Sequence, residues 1–231
     1  VFAHLAENSV PASAERKYEF CGSVKGGYNN SVMTTPNVKG QTFRNIHDGH
    51  YGWRASWIAG RIPLPAGRYN TRNLGNGTLM NWIGQTNAFV TADSGTLVYN
   101  GSKCVPDTAS IMIGINDIAD GVEEKRVRDD TGIMIDQLRS VNPDIRVHLC
   151  RVLHTNQGAE RNAKVDKLNI MLSELVKEKN TASDTSPVWL VNADEGFDPV
   201  KHTYDKVHPN VEGEKIVGDH IAVSLGLIAG K

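Results

Sequence analysis

The second half of the chain alternates short apolar runs with longer stretches of mixed polarity, and that alternation dictates most of the expected fold. Residues 109–117 (ASIMIGIND) are a continuous apolar run ending in turn residues, the pattern of a strand buried on both faces. Residues 123–140 carry Val127, Ile133, Ile135 and Leu138 at helical spacing, and 144–153 (DIRVHLCRVL) form the next buried strand. A long helix follows over 159–179 through Val165, Leu168, Met171, Leu172 and Leu175. A strand at 187–193 and a closing helix at 211–226 complete the series. Strands alternating with helices imply parallel βαβ units, and therefore an α/β fold, a three-layer α/β/α sandwich around a mostly parallel sheet.

The first half is less regular. Residues 2–8 read as a short helix with Phe2, Leu5 and Ala6 on one face, and 17–24 (KYEFCGSV) as a strand stopped by Gly26 and Gly27. Residues 25–46 are polar and loop-like, and 50–62 read as a loop entering a helix with Trp53, Trp57 and Ile58 inward. Residues 63–104 show no sustained period and are expected to be a functional insertion. No repeat, linker or second domain is visible, so residues 1–231 read as one domain.

Composition narrows the function by exclusion. Of 231 residues 39% are hydrophobic and 22% charged, with a formal net charge of −1, which gives no electrostatic reason for a nucleic acid or an anionic membrane as partner. No apolar run is long enough to span a bilayer. Cys21, Cys104 and Cys150 show no CxxC spacing, and Cys21 and Cys150 fall in apparent strands where a small hydrophobe is expected. The chain starts at Val1 without a methionine, which is expected of a chain with a processed or missing upstream piece.

Candidate chemistry sits at three places. Near the end, Asp205 precedes His208 by three residues, with Pro209 and a helix behind. A carboxylate there can accept the proton of one imidazole nitrogen and leave the other nitrogen to act as a base, the orienting half of a nucleophilic triad. A surface Asp and His that do nothing would look the same, and His4, His148, His154, His202 and His220 read as such solvated or packed histidines. The second place is GIND (114–117), at the C-terminal end of a strand where α/β chemistry collects. It is either an ordinary turn or a device that puts the Asn116 amide over a developing oxyanion while Gly114 lets the backbone come close. The third is HDGHYGW (47–53). His47, Asp48 and His50 are spaced too tightly for a helix-borne metal site, so no metal is expected. Gly52 can turn its backbone N–H toward a substrate while Trp53 anchors the following helix.

Taken in order, Gly52, then Gly114-x-Asn116-Asp117, then Asp205-x-x-His208-Pro209 resemble blocks II, III and V of the SGNH (GDSL) hydrolase superfamily. The stretch from KYEFCGSV to HDGHYGW is similar to the early part of esterases related to carbohydrate esterase family 3, and the resemblance runs from about residue 1 to 226. It implies that Asp205 orients His208, that His208 is the general base, and that Asn116 and Gly52 donate to the oxyanion. The implied reaction is ester hydrolysis through an acyl-serine with no metal or organic cofactor. The implied partner is a small-molecule or carbohydrate ester, and the compartment, which the residues leave unknown, would by resemblance be extracellular.

The family's first block, a Gly-Asp-Ser-Leu-like turn ending the first strand, is not found in its place. Ser9 lies only eight residues before the strand at Tyr18, too few for a returning helix, and Ser94 in TADSGT falls where the family has no central strand. Ser23 ends a strand and Ser56 lies within the helix opened by Gly52. A sheet lacking that strand would have exposed interior edges, so either another segment fills the gap or the chain begins after an upstream piece. The leading expectation is a serine esterase that deacylates acetylated carbohydrate, with Tyr69, Trp82, Phe89 and Tyr99 of the insertion stacking on sugar rings or packing as a lid. The alternative is a non-catalytic carbohydrate-binding relative that lost its nucleophile. A nucleotide-binding domain is disfavoured because no GxGxxG or P-loop follows a strand.

Overall fold

The computed structural model describes residues 24–25, 37–38, 41–42, 46–47, 49–50, 52–63, 65, 78–81, 83 and 105–227. Ser9, Ser23, Ser94, Cys21, Cys104, His4, Asp48, Tyr69, Trp82, Phe89 and Tyr99 lie outside these residues, as does the helix expected over 2–8. The chain divides into two compact units. One comprises Arg54–Ser56 and Asp107–Lys231 together with Val1, the other Phe2–Trp53 and Trp57–Pro106.

The first unit is built on three parallel strands, β1 (Thr108–Ile111), β2 (Arg146–Cys150) and β3 (Val188–Val191), in the order β1-β2-β3. Register runs straight across the sheet: Ser110 pairs with His148, and His148 with Trp189. Helices occupy the crossovers. After the short α1 (Ala55–Ile58) come α2 (Ile115–Ala119) and α3 (Glu124–Val141) between β1 and β2, α4 (Ala159–Ala182) between β2 and β3, and α5 (Val211–Ser224) at the end.

The helices form where apolar residues recur on one face. Val127, Met134, Ile135 and Leu138 of α3 and Val165, Leu168, Leu172 and Leu175 of α4 are all 3% exposed or less. These two stripes pack against each other, and α4 also packs on β3. The solvent side of α3 carries the Lys125–Asp129 pair at i,i+4, and Asn142–Pro143 ends the helix. On the other face of the sheet, Cys150, Leu153, Val191 and Ala193 form a small core closed by Phe197 and by Val217 and Ile221 of α5. Burial pushes the Cys150 thiol up to about 12, which leaves it the small hydrophobe expected. Helices on both faces of an open parallel sheet are the three-layer α/β arrangement that the alternation predicts.

One expectation fails at β1. The strand is not buried on both faces: Ser110 is exposed and Met112 just beyond it is 41% exposed. The reason is position. Among the described residues β1 pairs with β2 alone, so it is an edge strand of the described sheet, and a strand is fully buried only when flanked on both sides. GIND likewise forms no turn of its own, because Gly114 opens α2 and Asn116 and Asp117 lie within it.

In the second unit, Val24–Lys25 pairs antiparallel with Ile46–His47 and Asn37–Val38 with Gln41–Thr42. His50 stacks on Trp53 at 4.1 Å, and the Trp53 N–H donates to the His50 carbonyl. Trp53 and Trp57 are 2% and 3% exposed, inward as their spacing predicts.

Candidate active site

The loop after β3 returns to α5 through a narrow neck. Thr203 bridges Pro209, the Tyr204 N–H donates to the His208 carbonyl (3.1 Å), and the Asn210 N–H donates to the His202 carbonyl (2.8 Å). Within that neck Asp205 binds its own loop. Oδ1 accepts the backbone N–H groups of Val207 (3.0 Å) and His208 (2.7 Å), and Oδ2 lies 2.6 Å from His208 Nδ1. Short polar side chains at turns do this readily, which is why the three-residue spacing folds locally into a contact. Burial works to raise the Asp205 pKa, but the His208 N–H, the His208 ring and the Val207 N–H outweigh it and hold the carboxyl below its ordinary range. Asp205 is thus ionised beside the imidazole, and both side chains are about two-fifths exposed.

Two asparagines of α4 hold the loop in place from beneath. The amide of Asn169 accepts the Val152 N–H and donates to the Val152 carbonyl, and Asn162 does the same for Thr155. These amides keep the chain after β2 extended where no strand is present to do so. The next residue, Asn156, then donates its N–H to the Lys206 carbonyl at 2.8 Å. Lys206 has φ 76°, the one non-glycine residue in the left-handed region among those described. A side chain there costs about 1 kcal/mol, and the Asn156 contact is what holds the conformation. Behind the loop, α5 comes very close: a Cβ on Gly213 would stand 2.3 Å from the His202 carbonyl oxygen and 3.1 Å from Pro209 Cβ. The Gly213 N–H is capped by Asn210 Oδ1 at 3.0 Å.

Asn116 is the second residue of α2, immediately past the C-terminal end of β1, on the same edge of the parallel sheet from which the Asp205–His208 loop leaves β3. Gly114 sets this geometry. Its φ is 125°, and a Cβ would meet Leu168 Cδ2 at 2.7 Å and Val127 Cγ1 at 3.2 Å. Asp117, the next residue after Asn116, is fully buried and accepts the Ala55 N–H with both oxygens, at 3.2 and 3.0 Å. Burial pushes its pKa up to about 7 despite that hydrogen bond and the nearby Arg54. Gly52 lies in the second unit with φ 72°, a conformation that suits glycine at this turn.

The structure therefore brings Asp205 and His208 together and sets Asn116 at the strand end expected of it. It also reveals three residues that sequence reasoning passed over. Asp117 was part of the motif but had no role, since nothing in GIND distinguishes a buried aspartate from a turn aspartate. Lys206 and Asn156 act through backbone atoms, which leave no trace in residue type. The remaining described histidines are structural. His148 is buried with Nδ1 2.6 Å from Ser224 Oγ and its pKa lowered to about 4 by burial and by Arg146. His154 pairs with Asp166, the His202 ring accepts the Asp198 N–H, and His220 meets the Glu195 carbonyl. Ser56 is 3% exposed inside α1.

The family model of GDSL-like lipases and acylhydrolases matches residues 45–216. A carbohydrate esterase family 3 protein from Talaromyces cellulolyticus is similar in fold, with a TM-score of 0.58 and 24% identity over 82% of this chain and 75% of that one. A mutant acetyl esterase solved with an acetate ion gives a TM-score of 0.57 and 25% identity over the same shares. A family 3 carbohydrate esterase from Clostridium thermocellum gives 0.50 and 19% identity over 79% of this chain and 71% of that one. No curated protein sequence matches. Because one family model spans well over half of its residues, including Gly52, Asn116, Asp205 and His208, the chain is an ester hydrolase and belongs to the GDSL-like lipase/acylhydrolase family.

Proposed function

We propose that this chain is a serine esterase that removes acetyl groups from acetylated carbohydrate. The observation that carries the catalytic part is the pairing of Asp205 with His208 Nδ1. With Nδ1 so occupied, Nε2 is the nitrogen that exchanges protons with the reacting groups. In the first step the serine Oγ bonds to the ester carbonyl carbon as His208 takes its proton, and the carbonyl oxygen becomes an oxyanion that accepts from the Asn116 amide. The alcohol then leaves with the proton from His208, and water repeats the sequence to release the acid. Asp205 stays ionised throughout and stabilises the imidazolium. No metal or organic cofactor takes part.

The substrate class rests on likeness. The acetyl esterase at 25% identity supports an acetyl group, and the carbohydrate esterases that share the fold support a sugar as the alcohol. The partner is thus a small-molecule or carbohydrate ester, which suits a protein working outside the cell. A second reading keeps the site for carbohydrate binding without turnover.

A fluorophosphonate that labels active serines, followed by peptide mapping, separates the two readings. Labelling of Ser9 or Ser94 with acetate release from acetylated xylo-oligosaccharide supports the esterase and names its nucleophile. No label and no acetate from the full-length protein, with retained sugar binding, supports the second reading.

A further inference from the structure

Asp117 is a buried carboxylate that the reaction above does not use. Placing a charge in the interior is costly, and for folding alone an apolar residue or an amide would serve as well or better. Its surroundings show what it does instead. Both oxygens accept the Ala55 N–H at the start of α1. A second tie runs alongside, from Arg54 Nε to Asp120 Oδ2 at 2.7 Å. Asp117 and Asp120 are three residues apart on and just after α2, so one short stretch grips Arg54 and Ala55 at two points, one dry and one wet. Asn116 is the residue next to the dry point.

We propose that Asp117 is a positioning residue for ester hydrolysis: its carboxylate holds the Ala55 N–H and so fixes the helix that carries Asn116. The inference rests on the reading of Asn116 as an oxyanion donor. A donor stabilises an oxyanion best when it is held before the charge forms, and a buried charge-assisted hydrogen bond is stiffer than a neutral one. The charged groups facing Asp117 are Arg54, which favours its ionised form, and Asp130 of α3, which opposes it. The charges of α4, which packs on α2, are engaged elsewhere, Lys167 with Glu124 and Asp166 with His154. Ionised Asp117 grips strongly, and the protonated acid resembles asparagine.

The test follows the Ala55 amide by ¹H–¹⁵N NMR from pH 5.5 to 8.5 in the wild type and in Asp117→Asn, beside turnover of p-nitrophenyl acetate. In the wild type the Ala55 signal should titrate with a midpoint near 7, and in Asp117→Asn it should stay put. Arg54→Met, which keeps the acid, should move the midpoint to higher pH. The ratio of wild-type to Asp117→Asn kcat should be about tenfold at pH 8.5 and fall toward one at pH 5.5, with KM little changed. An Ala55 signal that does not titrate, or a kcat ratio flat across pH, overturns the positioning role. Asn116→Ala separates this from the reading beneath it. A loss of about 10²-fold in that variant with a flat Asp117→Asn ratio sinks the positioning role alone. Unchanged kcat in Asn116→Ala sinks the oxyanion reading and the inference with it.

Discussion

Asp205 meets His208 twice, through Oδ2 to the ring nitrogen Nδ1 and through Oδ1 to the backbone N–H of the same residue. Asp205 thereby orients the ring, and Tyr204 stacks on it with ring centroids 5.8 Å apart. Asp205→Asn can still accept the backbone N–H groups, so the loop should keep its shape, but the amide no longer stabilises an imidazolium. Turnover should fall by about 10²–10⁴-fold with KM within a few-fold, as steady-state kinetics on p-nitrophenyl acetate would register. A change confined to KM would assign the pair to binding.

Asp117 gives stability an unusual pH dependence. Its carboxyl ionises near 3.8 in the unfolded chain and at about 7 in the fold. The folded state therefore holds the extra proton between those values. This group's contribution is full below pH 3.8 and is lost as pH rises through about 7. Asp117→Asn has no such loss, so relative to the wild type it should gain on the order of a few kcal/mol between pH 4 and 7.5, and no more above. Urea unfolding of both proteins at several pH values measures the gap, and a gap that shrinks with rising pH would contradict the burial argument.

Lys206 adopts a left-handed backbone that glycine takes without strain. Its contact to Asn156 uses the carbonyl, which any residue supplies. Lys206→Gly should raise stability by roughly 0.5–1 kcal/mol in thermal unfolding, once relief of strain is set against the added freedom of the unfolded chain. A loss of stability would mean that the lysine side chain contributes more than its backbone costs.

Gly213 reverses the usual rule for helices. Alanine in a helix interior normally gains about 1 kcal/mol over glycine. Here the added methyl would lie 2.3 Å from the His202 carbonyl oxygen and 2.9 Å from Phe197 Cε2. Backbone cannot yield cheaply, so Gly213→Ala should destabilise by about 2 kcal/mol or more and displace the loop bearing His208. Chemical denaturation gives the first quantity, and a matching drop in kcat gives the second.

Much of the fold was legible because α3, α4 and α5 carry apolar stripes whose spacing depends on local geometry alone. The predicted 159–179 helix extends to Ala182, and the ends of the 144–153 and 187–193 strands moved inward by one to three residues because flanking apolar residues such as Val152 and Leu153 continue as buried loop. The burial of β1 was not legible, since it depends on which strands lie beside it and not on its own apolar run. Asp205 and His208 could be read together because their contact is three residues long. The grip of Asp117 on Ala55 joins residues 62 positions apart, and the support of Lys206 by Asn156 passes between backbone atoms, so neither has a sequence pattern.

Gly114 bears on how far a shared motif vouches for a shared activity. Its φ of 125° and the 2.7 Å approach to Leu168 make glycine a condition of packing α2 against α4, whatever the protein does. Within GIND the letters thus divide by the selection acting on them. Packing alone requires glycine at position 114, whereas Asn116, half-exposed at the strand end, is free of that constraint. Under the proposed oxyanion role, a lineage that gave up turnover would go on matching the family at its glycine while its asparagine drifted. Variation at Asn116 against a constant Gly114 among relatives would then separate hydrolases from inactive descendants.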